Sequence, residues 1–144
     1  MQGRAEIFRR IERQHFRERL AALGLQAVDG MVVRLLAREG QMRQEDIAHR
    51  IVMDKGAVAR AVARLEEQGL VLRTVRDQCR REKLVSITDS GRQTALTIQQ
   101  VMEEWNEISW RGFTPEERAQ CDAFLTRMTE NVIQFKRGEE AGNG

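Results

Sequence analysis

Apolar residues recur every three or four positions along most of this chain, and they alternate with polar residues only in a short central stretch. The first spacing predicts amphipathic helices and the second predicts β-strands. Helices are predicted at residues 5–23, 28–38, 44–50, 55–68, 90–110 and 115 to about 135. Strands are predicted from Leu70 and over residues 84–87. The pattern indicates a mainly α fold with a small β-hairpin, in the order α-α-α-α-β-β-α-α.

Residues at the predicted helix ends support these boundaries. Asp54 is a good N-cap for the fourth helix, because its carboxylate can accept a hydrogen bond from a free backbone amide. Thr114 followed by Pro115 is a strong start for the last helix. Gly69 follows the fourth helix, as a glycine commonly does at a helix end. Residues 138–144 are expected to form a frayed tail.

Composition narrows the class of protein. The chain has 144 residues, 41% hydrophobic and 32% charged, which suits one helix-rich globular unit spanning residues 1–144. No apolar run approaches the roughly 20 residues of a membrane span and no secretory signal opens the chain, so a cytoplasmic location is expected.

The side chains that usually support catalysis or bind a metal are not grouped in the sequence. Cys79 and Cys121 are far apart, and His15 and His49 are not clustered with them, so no metal site is expected. The chain has no Gly-rich phosphate loop, and it has no nucleophile paired with a general base at a spacing that known catalytic motifs use. Neither an enzyme nor a cofactor is expected.

Charge is distributed unevenly, although the net charge is only +2. Residues 55–83 contain eight basic and four acidic residues, whereas residues 93–144 contain five basic and nine acidic residues. A basic middle and an acidic C-terminal region predict one surface for phosphates and another for a different role.

The fourth predicted helix has two different faces. Val58, Val62 and Leu65 form an apolar face. The other face is small and basic and contains Lys55, Gly56, Ala57, Arg60 and Arg64. A helix of this kind, after a short helix and before a hairpin, is typical of a winged helix-turn-helix, which places one helix in the DNA major groove.

We expect different DNA contacts from the basic residues of this region. Arg60 is expected to contact guanine, because a bidentate arginine–guanine pair is the commonest specific contact. Lys55 and Arg64 are expected to contact phosphates. Arg43 and Gln44, at the start of the preceding helix, are expected near the DNA backbone.

The predicted hairpin has a basic tip containing Arg76, Arg80 and Arg81. Such a tip can reach the minor groove, whose negative potential attracts arginine. Taken alone, these arginines and those of the helix would be an ordinary solvated surface. An alternative is a winged-helix protein-interaction module that does not bind DNA, and the basic recognition face argues against it.

An ordered set of short motifs resembles the MarR family of bacterial transcription regulators. The motifs are Gln44-Glu45-Asp46-Ile47-Ala48, Asp54-Lys55-Gly56-Ala57-Val58, Arg64-Leu65-Glu66-Glu67-Gln68-Gly69-Leu70-Val71, Arg73, Arg80-Arg81 and Ile87-Thr88-Asp89-Ser90-Gly91. The close match covers Gly40 to Gly91, and the flanking helices match in length and order.

The resemblance implies a triangular homodimer whose first and last two helices intertwine with those of a partner. Residues 28–91 would form the winged DNA-binding module, and residues 5–24 and 90–136 the dimerisation helices. The dimer would bind a pseudo-palindromic operator on double-stranded DNA, usually as a repressor. Members of this family often respond to small aromatic or phenolic ligands, or to thiol oxidation.

One position departs from the pattern of the family. Cys79 stands directly before the two wing arginines, where the family usually has an aspartate that orients an arginine. Nearby arginines can lower the pKa of a thiol, so a regulator that senses oxidation through Cys79 is an alternative. The other interpretation is a small residue tolerated at a variable site.

The resemblance also raises the question of a ligand crevice. His15, Phe16 and Met31 are candidates to line it, with the competing interpretation that they are packing residues of helices. By its spacing, Met31 is expected to face inward together with Val32 and Leu35.

Overall fold

The computed structural model describes residues 3–75 and 83–143 of this chain. That part contains six helices and three strands. The helices are α1 (Arg4–Ala21), α2 (Ala27–Glu39), α3 (Gln44–Ile51), α4 (Lys55–Glu67), α5 (Asp89–Ser109) and α6 (Pro115–Asn143). The strands are β1 (Gln41–Arg43), β2 (Val71–Val75) and β3 (Lys83–Ile87). The predicted mainly α fold with a small β element is confirmed.

The element order contains one strand that the sequence pattern did not reveal. Strand β1 pairs antiparallel with β3, with Gln41 opposite Ser86 and Arg43 opposite Leu84, so the sheet order is β1-β3-β2. The observed order is therefore α-α-β-α-α-β-β-α-α. Three residues are too few to show an alternating pattern, and β1 depends on its partner strand rather than on its own sequence.

The chain divides into two compact units, one ending at Glu103 and one beginning at Glu104. Within the first unit, the core lies where α2, α3, α4 and the sheet meet. Its fully buried large side chains include Val32, Val33, Leu36, Ile47, Val58, Val62, Leu65, Val71 and Val85. This core fixes α4 from its apolar side and leaves its opposite side facing solvent.

Helix α4 begins and ends as its sequence predicts. The Asp54 side chain accepts a hydrogen bond of 2.7 Å from the Ala57 amide, as expected of an N-cap. The helix is followed by Gly69, whose φ of +73° is readily adopted by glycine. In the turn before α4, Val52 has a φ of +56°, which is costly for a β-branched residue.

The connection between β3 and α5 explains the Thr-Asp-Ser-Gly motif. The Thr88 hydroxyl donates to the Gly69 carbonyl at 2.7 Å and accepts from the Gly91 amide at 3.0 Å. A Cβ added at Gly91 would overlap the carbonyl oxygen of Leu70. The motif therefore packs the start of α5 against the chain between α4 and β2.

Two predictions about the helices were wrong in detail. Met31 is 40% exposed rather than inward, because the inward face of α2 is set by Asp29, Val32, Val33 and Leu36. In the second unit, α6 continues to Asn143, whereas the sequence pattern predicted its end near residue 135. The predicted fraying of residues 138–144 stays a prediction. Lysine, arginine, glutamate and alanine near this end favour a helix, and Gly138 weakens it without breaking it.

The start of α6 follows its predicted signal. The Glu117 amide donates to the Thr114 hydroxyl at 3.1 Å, and the Thr114 amide donates to the Glu117 carboxylate at 2.9 Å. This reciprocal pair is a capping box. No helix within residues 3–75 and 83–143 combines the length and the apolarity needed to cross a membrane.

Candidate nucleic-acid interface

The solvent-facing side of α4 is small and basic. Lys55, Gly56 and Arg60 are exposed and Ala57 is half-buried, whereas Val58 on the opposite side is fully buried. Because the first turns carry only glycine and alanine next to the two basic side chains, the backbone can approach a flat or grooved partner closely. The structure thus places four of the five predicted recognition-helix residues on or beside one accessible face.

Lys55 is held only weakly. Its ammonium lies 3.9 Å from the Glu45 carboxylate, and the two side chains are 81% and 73% exposed. An ion pair this exposed contributes little, because solvent and salt screen it. Lys55 is therefore available to a phosphate.

Arg64, the fifth predicted recognition residue, lies in a different environment. Its Nη2 is 2.7 Å and its Nε is 3.2 Å from Oδ1 of Asp29 on α2. Asp29 is completely buried, and the side chain of Arg64 is only 30% exposed. The predicted phosphate contact of Arg64 stays a prediction, and the guanidinium already has a strong partner inside the protein.

Arg43 and Gln44 lie at the start of α3, as predicted. The Arg43 guanidinium donates to both Asp46 oxygens, at 2.9 and 3.0 Å. This hydrogen bond is the main reason that the pKa of the Asp46 carboxyl is held below its ordinary value of 3.8. The Gln44 side-chain oxygen is buried and has no hydrogen-bond partner in the described part of the chain.

The base of the wing is tied to α4. The Arg73 amide and its Nη2 both donate to Glu66 at 3.3 Å, which joins β2 to the last turns of α4. The wing residues Arg76, Arg80 and Arg81, and also Cys79, lie outside the described residues. Their predicted roles stay predictions.

The three ligand-crevice candidates lie on two helices. His15 and Phe16 are half-buried neighbours on α1, with ring centroids 5.7 Å apart in an edge-to-face arrangement. Met31 lies on the exposed side of α2.

A different groove, between α2 and α5, was missed from the sequence. It has a volume of about 520 Å³ and is lined by Arg34, Ala37, Arg38, Arg92, Ala95, Leu96 and Gln99. Arg34 and Arg38 are four residues apart, which places them on one face of α2. Arg92 joins them only through the fold, so no sequence signal pointed to the groove.

The described residues contain no group of three or more His, Cys, Asp or Glu side chains that could hold a metal ion. What the first unit does offer is a basic helix face beside a short helix and a three-stranded sheet. That arrangement is suited to contact with a polyanion.

A sequence profile described as "MarR family" matches residues 25–83 of this chain. An uncharacterised HTH-type transcriptional regulator from Bacillus subtilis (strain 168), YybA, is 30% identical over 100 residues, which cover 69% of this chain and 67% of YybA.

Two solved structures have the same fold. The crystal structure of MarR is 29% identical, with a TM-score of 0.79, over 94% of this chain and 91% of MarR. The structure of the S. aureus MepR–DNA complex is 23% identical, with a TM-score of 0.77, over 91% of this chain and 99% of that one, a likeness in fold alone. This chain belongs to the MarR family of transcriptional regulators.

Proposed function

We propose that this chain forms a homodimer that represses transcription by occupying a pseudo-palindromic operator. The observation that carries the proposal is the accessible face of α4, where Lys55 and Arg60 stand beside small residues on a helix fixed by a fully buried apolar face. Residues 28–91 would form the DNA-binding module. The DNA in the complex of MepR, which shares this fold, is in keeping with that role.

Dimerisation is supported by large apolar side chains that remain exposed in the single chain. On α1, Phe8 and Ile11 are 47% and 50% exposed. On α6 the exposed apolar residues are Phe124, Leu125, Met128, Val132 and Phe135, each at least 50% exposed. Exposed apolar surface of this extent usually marks an interface. We propose residues 5–24 and 90–136 as the dimerisation helices.

The test is selection of binding sites from random duplexes, followed by a salt titration on the selected operator. We expect two half-sites about 10 base pairs apart, and an affinity that falls with salt with a slope of about −0.9 per phosphate contacted. Arg60→Ala should relax base preference, whereas Arg80→Ala or Arg81→Ala should weaken binding to all duplexes similarly. No duplex preference in the selection would favour a protein-interaction module instead.

We also propose that a small aromatic acid releases the protein from DNA by binding the groove between α2 and α5. The exposed arginines Arg34, Arg38 and Arg92 line this groove, and Leu96 and Ala95 supply apolar surface beside them. A guanidinium matches a carboxylate well, and the volume of the groove is within the usual range for small ligands.

The effector proposal is tested by titrating benzoate-type acids and their neutral amides into the operator complex. We expect the acids to release DNA and the amides to be much weaker, and Arg92→Gln to abolish the difference. Equal potency of acid and amide would contradict the proposed site. If peroxide instead releases wild-type protein but not Cys79→Ser, the signal is thiol oxidation.

A further inference from the structure

We propose that Asp29 and Arg64 form a clamp that sets the position of α4, so that Arg64 supports operator binding from inside the protein and not by touching DNA. This inference rests on the proposed DNA-binding function. It assigns Asp29, which lies outside α4, as a positioning residue for recognition.

The geometry of the pair is specific. Asp29 is completely buried, and both of its oxygens are used. Oδ1 accepts from Arg64 Nη2 at 2.7 Å and from Nε at 3.2 Å, while Oδ2 accepts from the Gln26 amide at 2.9 Å. One carboxylate therefore caps the first turn of α2 and holds a side chain of α4.

An ionic pair at this place is not explained by stability alone. Burying a carboxylate costs free energy that its partner only offsets, and well-packed apolar residues often serve stability as well. A charged pair is directional, however, whereas the packing of Val58, Val62 and Leu65 against the rest of the core constrains rotation of α4 about its axis less strictly. Two-point donation by a planar guanidinium fixes both the distance and the orientation.

The rotation of α4 about its own axis determines the direction in which its accessible basic face points. Arg60 lies one turn before Arg64, about 6 Å along the helix axis. A small rotation of the helix would displace the Arg60 guanidinium, at the end of a long side chain, by more than the backbone itself moves. A base contact depends on that displacement, because bidentate pairing tolerates little error.

A second link joins the same parts of the protein and provides a control. The Gln68 side chain donates to the Gly24 carbonyl at 3.1 Å, between the end of α4 and the α1–α2 connection, and this bond is exposed. It involves no buried charge. Gln68→Ala should therefore leave operator affinity close to that of the wild type.

The experiment measures operator affinity over a range of salt for full-length wild type, Asp29→Asn, Arg64→Lys, Arg64→Met and Gln68→Ala. Thermal unfolding of each variant gives its folded fraction at the assay temperature. We expect Asp29→Asn, Arg64→Lys and Arg64→Met each to bind the operator about tenfold more weakly, which corresponds to about 1.4 kcal/mol of binding free energy. The salt slope should equal that of the wild type, because no phosphate contact is lost.

Two results would overturn the clamp. If Arg64→Met shows a slope shallower by about 0.9 per half-site while Arg64→Lys and Asp29→Asn bind normally, Arg64 contacts a phosphate directly. If all losses vanish once affinity is corrected for folded fraction, the pair serves stability only. If Asp29→Asn does not fold, Arg64→Lys still tests the clamp, because this variant keeps the positive charge. Failure of the wild type to select any duplex would instead overturn the proposed function.

Discussion

The Arg60 guanidinium lies over Gly56, one turn earlier on α4: its Nη1 is 3.2 Å from the point that a Cβ on Gly56 would occupy. The same point is 3.3 Å from Oδ1 of Asp54, the N-cap of the helix. Gly56 thus provides the space in which Arg60 extends along the N-terminal end of α4.

Gly56→Ala should separate stability from DNA recognition. Alanine favours a helix by up to about 1 kcal/mol relative to glycine. The two atoms that must move by a few tenths of an ångström, Arg60 Nη1 and Asp54 Oδ1, both belong to side chains. We expect a slightly higher melting temperature together with weaker operator binding. In an Arg60→Ala background the same change should leave affinity unchanged, and an equal loss in both backgrounds would show that Gly56 acts independently of Arg60.

Gly91→Ala should destabilise the first unit. The added Cβ would overlap the Leu70 carbonyl oxygen and approach Ile87 Cγ1 to 2.7 Å, so the backbone at Leu70 or at the start of α5 has to shift. We expect a loss of about 2–3 kcal/mol in the free energy of unfolding, measured by urea denaturation. Gly138→Ala is the control, because nothing lies within 4 Å of its Cβ position and alanine should be neutral or stabilising there.

At Val52, in the turn before α4, a glycine variant should be more stable than an alanine variant, which is the reverse of the usual order of stability. Val52 has a φ of +56°, where any Cβ is unfavourable. We expect Val52→Gly to be more stable than Val52→Ala by about 1 kcal/mol. At Ala63, inside α4, the glycine variant should be the less stable one. A Val52→Ala protein as stable as Val52→Gly would mean that the turn relaxes out of this conformation.

The Arg43–Asp46 pair should be visible as a pH effect. The pKa of Asp46 is lowered chiefly by its hydrogen bond from Arg43, so this contribution to stability is present above the ordinary value of 3.8. It is lost as the pH falls through the lower, folded-state pKa. In an NMR titration, Arg43→Gln should raise the pKa of Asp46 toward its ordinary value. An unchanged titration would assign the shift to a different neighbour.

The apolar face of α6 should control the oligomeric state. Val132 is 62% exposed and Met128 is 61% exposed in the single chain. Val132→Glu should shift the protein toward monomer in sedimentation velocity, because a charge cannot be buried there without a partner. Glu130→Gln, at a polar exposed position of the same helix, should remain associated as the wild type does. A monomeric wild type would refute the proposed dimer.

Local signals in the sequence were sufficient for most of the fold. Asp54, Thr114 and the helical spacing of apolar residues predicted the start and end of α4 and the start of α6, because these features depend on residues a few positions apart. Strand β1 could not be predicted in this way, since its hydrogen bonds come from β3.

The same distinction applies to the candidate site. Lys55, Gly56 and Arg60 were placed correctly on an accessible face, because helical spacing alone decides which residues share a face. The environment of Arg64 was not predictable, since its partner Asp29 is 35 positions away and no pattern links them. The position of Arg92 beside Arg34 and Arg38 was not predictable either, because it results from the packing of α5 against α2.

Strand β1 also affects where mutations that disturb the wing should be found. Gln41 accepts a hydrogen bond of 3.2 Å from the Ser86 hydroxyl, across 45 positions of sequence, and the Gly40 carbonyl accepts from the Ile87 amide at 3.1 Å. A two-stranded hairpin is marginally stable alone, so its third strand matters. A genetic screen for defective wings should therefore recover substitutions at Gly40 and Gln41 alongside those in the hairpin itself.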